Sequence, residues 1–266
     1  MLVPLLRGET VTKKTDWFEL AEARLQMTPY SRPSVEIAVA SQVSPTGASA
    51  AGKHGLGLLS IGATSTGGFN ALSSNWAIAE DRAKEAGNTM DRRAWRLVGP
   101  MHVAPTREQA RADCAFGLEK WLYYFREVAA LPLAPTDGDP VDAMIATGLA
   151  VIGTPDDAIA QIERLKVQSG GFGAFLCMDH NWAPFEAKKQ SYELIARYVA
   201  PKFQGLNENR DASLEWARTN RPRFMGEAMM AVGSRIAQHI QEKGTGQVSP
   251  EILALMGMGK TPEAAE

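Results

Sequence analysis

The residues with the clearest chemical potential lie in one short turn, Ser41-Gln42-Val43-Ser44-Pro45-Thr46-Gly47. An apolar run ends at Ser41, and an Ala-rich helical pattern begins at Thr46. Where a strand gives way to a helix, the first N–H groups lack intrahelical partners and the helix dipole favours negative charge. Such a turn holds a phosphate without needing a basic residue. Ser41, Ser44, Thr46 and Gly47 are therefore candidate anion-binding residues. The competing reading is that Ser44 or Thr46 only caps the helix. A second group is Met178-Asp179-His180-Asn181-Trp182, which follows another apolar run. His180 and Trp182 are candidate pocket residues there, and so is His102, inside an earlier run. A surface-loop position for His180 and a hydrogen-bonded structural role for His102 compete with that reading.

Other patterns carry less. The four histidines are far apart, and neither His-x-x-x-His nor Cys-x-x-Cys occurs, so no metal site is expected. Gly170-Gly171-Phe172-Gly173 precedes a strand pattern instead of joining a strand to a helix. It reads as a helix stop, not as a dinucleotide fingerprint. Met225, Met229 and Met230 at helical spacing suit packing better than cofactor binding. No acid–base dyad stands out.

Several elements must position these groups. Strands are expected at 36–41, 58–63, 96–103 and 174–178, each a short apolar run without polar alternation, as in a parallel sheet covered on both faces. Helical patterns follow at 46–53, 69–86, 107–128 and 185–198. The segment 131–153 is an insertion that opens with Pro132, Pro135 and Asp137-Gly138-Asp139-Pro140, which is loop chemistry. Thr154-Pro155-Asp156-Asp157 starts another helix, with an N-cap, a proline at the first position and acids in the first turn. A further amphipathic helix is expected at 224–240 and a frayed tail at 257–266. Strand–helix alternation argues for α/β with a parallel sheet. The first 35 residues add no strand–helix unit, and four units are too few for a closed eight-stranded barrel. The sheet is open, or it is half of a barrel.

Composition excludes other classes. The chain has 266 residues, 45% apolar and 22% charged, which is ordinary for a globular protein. Lys and Arg number 28 against 30 Asp and Glu, a net charge of −2 without the basic field that nucleic-acid binding needs. No apolar run reaches about 18 residues, so no membrane span is expected. The start, Met1 to Arg7, lacks the basic region of a signal peptide. Cys114 and Cys177 sit in apolar surroundings and read as reduced thiols, which suits the cytoplasm.

Several phrases in order resemble the bacterial-luciferase-like flavin-dependent monooxygenases, and within them the branch that epoxidises monoterpene alkenes. They are Leu6-Arg7-Gly8-Glu9-Thr10-Val11-Thr12, Asp16-Trp17-Phe18-Glu19-Leu20, Ala38-Val39-Ala40-Ser41, Ser44-Pro45-Thr46-Gly47 and Ala51-Gly52-Lys53-His54-Gly55. Further on come Ile152-Gly153-Thr154-Pro155-Asp156-Asp157-Ala158, Ser169-Gly170-Gly171-Phe172-Gly173, His180-Asn181-Trp182-Ala183 and the run from Ala196 to Gly205.

The resemblance implies a partial (β/α)₈ TIM barrel of the luciferase-like type, with about four βα units over residues 1–206 and a helical C-terminal extension over 207–266. It implies that the chain corresponds to the later part of such a barrel, and that activity needs the earlier part. It implies reduced FMN or FAD as cofactor, held by its phosphate at Ser41, Ser44, Thr46 and Gly47. It also implies NAD(P)H as electron source through a flavin reductase. One atom of O₂ would pass through a C4a-peroxyflavin to a small hydrophobic substrate, and the segment 131–153 would fall where relatives carry a mobile lid. A non-catalytic, flavin-binding half-barrel that pairs as a homo-oligomer and a deazaflavin-dependent reductase are the alternatives.

Overall fold

The computed structural model describes residues 1–32, 34–131, 133 and 138–257. The chain divides into two compact units, Met1–Ala200 and Pro201–Glu266.

The first unit opens with a short helix α1 (Leu2–Leu6) and an antiparallel hairpin of β1 (Val11–Lys14) and β2 (Glu19–Ala23). The hairpin is no strand–helix unit. Its strands carry Lys13, Lys14, Glu19 and Glu22 and are mostly exposed, so they have no apolar pattern to reveal them. The βα units follow: β3 (Ala38–Ser41), α2 (Pro45–His54), β4 (Gly57–Ser60), α3 (Thr66–Glu85) and β5 (Trp95–Val103). Next come α4 (Arg107–Cys114), α5 (Leu118–Tyr123), α6 (Pro140–Thr147), β6 (Val151–Gly153), α7 (Pro155–Ser169), β7 (Ala174–Met178) and α8 (Phe185–Leu194).

All the pairings of the main sheet are parallel. β3 pairs β4, β4 pairs the start of β5, and β7 pairs Arg96–Pro100 of β5. The far end of β5 pairs β6. The register sorts the side chains into two faces. Val39, Leu58 and Trp95 share one face, as do Ser41, Ser60, Leu97 and Phe175. This face packs on α2, α3 and α7 through Ala48, Ala51, Leu72, Trp76, Ala79 and Leu165. On the other face lie Ala40, Leu59, Arg96 and Ala174, then Val98 and Leu176. Those residues are half-buried or exposed, with Leu176 at 40%. One face of the sheet is thus the core, and the other is only partly covered.

Three elements differ from sequence expectation. The helix expected over 107–128 breaks at Gly117. A Cβ there would collide with the Asn181 carbonyl oxygen, and its N–H donates to the Trp182 oxygen at 2.9 Å. The tertiary contact, not a local signal, ends α4 and restarts the chain as α5. The inserted segment contains α6 and the short strand β6, which forms a second core with Ala104, Ala110, Cys114, Leu118 and Trp182. Three residues were too few to show a strand pattern. Pro132, Pro135 and Asp137 lie outside the described residues. In the second unit, the helix expected at 224–240 spans Glu208–Lys243 and passes through Pro222 (α10, after the one-turn α9, Ala200–Gln204). Among the described residues, no helix is long and apolar enough to cross a membrane.

Candidate functional site

The β3–α2 turn sits at the C-terminal end of its strand. Ser41 lies on the helix-covered face and is almost fully buried. Its Oγ accepts from Asn75 Nδ2 at 3.3 Å, and its carbonyl accepts from the Ile61 N–H at 3.1 Å. Gly47 rests directly on it. A Cβ at Gly47 would collide with the Ala40 carbonyl oxygen and lie 2.9 Å from the Ser41 Cβ. Ser41 and Gly47 therefore form the base of the turn, while Ser44 and Thr46 are exposed at its rim.

Ser44 occupies the N-cap of α2, in extended conformation, yet its side chain makes no capping hydrogen bond. The other Ser or Thr N-caps after strands of this sheet behave differently. Ser65 accepts from the Gly68 N–H at 3.4 Å and donates to the Gly62 oxygen at 2.8 Å. Thr106 accepts from the Gln109 N–H at 3.1 Å. Thr154 forms a reciprocal capping box with Asp157. Asp157 is also held by Arg107, which keeps its carboxyl down at about 2. Alone among these four, α2 presents its first-turn donors and a serine hydroxyl without a side-chain cap. A phosphate fits this donor set, which is neutral and built around a position only glycine can occupy.

The second group assembles at the far ends of β5 and β7. His102 and His180 meet edge to face with ring centroids 5.9 Å apart, and His180 stacks on Trp182 at 4.1 Å. His180 Nε2 donates to the Met101 carbonyl oxygen at 3.0 Å, and its Nδ1 accepts from the Trp182 N–H at 3.3 Å. That pattern is the neutral ring, and burial pushes its pKa down. His102 Nε2 donates to Asp113 Oδ2 at 3.0 Å. His102 Nδ1 and Trp182 Nε1 have no hydrogen-bond partner among the described residues.

The structure thus brings together all three candidates of this group, but as a packed cluster. Trp182 and His102 are fully buried, and His180 is nearly so instead of lying on the surface. Only His180 reaches a hollow of about 420 Å³, which it lines with Phe116, Lys120, Trp121, Asp179 and Asn181. At its edge Asp179 binds Lys188 at 3.1 Å and the Tyr192 hydroxyl at 3.0 Å. Sequence reasoning missed Asn75, Asp113 and Lys120. Each is one polar residue on an ordinary helix, and only the fold shows what it meets.

The parallel sheet of βα units, with a polar turn at a strand's C-terminal end, matches that of luciferase-like TIM-barrel structures, and the sequence is similar to monooxygenases. No protein-family model matches the sequence. The chain is similar to limonene 1,2-monooxygenase of Rhodococcus erythropolis, with 47% identity over 222 residues, covering 79% of this chain and 57% of the relative. It is 39% identical over 221 residues to 4-hydroxyprotoasukamycin monooxygenase of Streptomyces nodosus subsp. asukaensis, covering 80% and 59%. Among solved structures, the oxygenating constituent of 3,6-diketocamphane monooxygenase from Pseudomonas putida, in complex with FMN, superposes with a TM-score of 0.56 at 24% identity, over 74% of this chain and 59% of that one. The chain therefore spans less than two thirds of the length of these relatives.

Proposed function

We propose that the chain is part of a flavin-dependent monooxygenase and that its β3–α2 turn holds the flavin phosphate. Bound reduced FMN or FAD, with electrons from NAD(P)H delivered through a reductase, would activate O₂. One oxygen atom enters a small hydrophobic substrate, as in limonene 1,2-epoxidation, and the other leaves as water. The observation that carries this reading is the uncapped α2 N-terminus at Ser44, in a chain 47% identical to limonene 1,2-monooxygenase.

Each region of the chain then has a task. The rim residues Ser44 and Thr46 donate to the phosphate, with Gly47 admitting the helix close to the strand. The ring cluster of His102, His180 and Trp182 closes the ends of β5 and β7 and keeps water out of them. The hollow beside His180 has aromatic walls in Phe116 and Trp121, polar ones in Lys120, Asp179 and Asn181, and a volume within the range of about 300–1,000 Å³ typical of ligand clefts, so it has room for a small substrate.

Ser44→Asp tests the phosphate turn. A carboxylate beside the phosphate repels it, so FMN affinity should fall by about tenfold or more in a fluorescence titration, while thermal unfolding stays close to wild type. Unchanged affinity removes the turn from the binding site.

A further inference from the structure

A buried asparagine on the neighbouring βα unit holds the turn in place. Asn75 belongs to α3, is 2% exposed and lies more than thirty residues from the turn in sequence. Its Nδ2 is 3.0 Å from the Gln42 carbonyl oxygen and 3.3 Å from Ser41 Oγ. A carbonyl oxygen only accepts, so the amide face turned to the loop is the NH₂, and both its hydrogens serve two consecutive residues of one turn. The neighbouring contacts have the same direction. The Gln42 side chain lies against Gly62, where a Cβ would be 2.8 Å from its Cγ, and the Val43 methyl lies against Gly67.

Two consequences follow from bond geometry. Ser41 Oγ accepts from Asn75, so its own proton is left to donate elsewhere. The Gln42 carbonyl is drawn towards α3, and in a trans peptide the N–H of the next residue points the opposite way. The Val43 N–H is thereby turned away from the Asn75 amide. We propose that Asn75 is a positioning residue for the phosphate turn: it fixes the Gln42–Val43 peptide so that one more backbone donor faces the anion. This rests on the phosphate reading of the turn given above.

The test compares FMN with riboflavin, which has the same ring and no phosphate, by fluorescence titration of the whole chain. Wild type should bind FMN more tightly than riboflavin. Asn75→Leu, of similar size but without a donor, should weaken FMN about tenfold and leave riboflavin within about twofold. Where Asn75→Leu does not fold, Asn75→Ala removes the donor without adding bulk, and the same selective loss is expected. A variant that unfolds at lower temperature but keeps the wild-type FMN-to-riboflavin ratio shows a merely structural asparagine and overturns the inference, leaving the phosphate turn intact. A wild type with no preference for FMN overturns the phosphate reading itself, and this inference with it.

Discussion

The β3–α2 and β4–α3 turns are neighbours with nearly the same chemistry and opposite bonding. Each joins a parallel strand to a helix, and each puts a serine at the N-cap in extended conformation. Ser65 closes its turn on both sides, accepting from Gly68 and donating to the Gly62 carbonyl. Ser44 makes no such bond, and Pro45 after it has no N–H to offer. A helix start whose donors are satisfied internally is architecture. One whose donors are left at the rim, over a base held rigid by Gly47 and Asn75, is equipped for an anion. The difference lies not in residue type but in where each hydroxyl points.

The base of the open turn offers the largest way to break this comparison. Gly47→Ala adds a Cβ against the Ala40 carbonyl and Ser41, which are backbone and buried side chain and cannot swing aside. Overpacking of this kind costs about 1–3 kcal/mol. Urea unfolding should show that loss, and FMN affinity should fall with it. Full stability would mean that α2 does not approach β3 as closely as the structure shows.

A closed helix start can be tested by acid. Asp157 caps α7 together with Thr154 and is bound by Arg107, and its carboxyl is held at about 2 against an unfolded value near 4. A depressed carboxylate stabilises the fold above the unfolded value and loses that contribution as pH falls through the folded one. Unfolding free energy should therefore drop by about 1 kcal/mol between pH 4 and pH 2, allowing for solvent screening, and Asp157→Asn should remove that part of the slope. An equal slope in the variant would show that the box is not what acid breaks.

Much of this contrast was legible in the sequence, and some was not. Apolar runs and Gly or Pro punctuation placed β3, β4, β5 and β7 to within a residue or a few at each end, because strands buried in a parallel sheet leave a local signal. Thr154-Pro155-Asp156-Asp157 announced its N-cap and first-turn acids directly, though not the reciprocal bond of Asp157. The hairpin at 11–23 left no apolar trace, and β6 was too short to register. At the turn, residue types nominated Ser41, Ser44, Thr46 and Gly47 together, but only the register separates buried Ser41 from exposed Ser44. His180 and Trp182 were marked by their place after a strand and His102 by its place inside one, but nothing in the sequence said that the three rings meet. Their burial depends on α5 and β6, and nothing local encodes it.

The smallest expected effect is the sharpest test of the two turns. Ser65→Ala removes the bond to the Gly68 N–H and one of two bonds to the Gly62 carbonyl, which keeps the Ser65 N–H. Loss of a serine N-cap costs about 1 kcal/mol. Ser44→Ala removes no capping bond, so its cost should stay within about 0.5 kcal/mol although the two residues hold equivalent positions. The pair is read by denaturant midpoints at constant slope, which separates stability from changes in compactness. Equal losses would mean that Ser44 caps α2 in solution, and the rim hydroxyl would then be occupied by its own helix. A loss at Ser65 alone leaves the Ser44 hydroxyl uncommitted to the fold, which is the condition for its bonding to a phosphate.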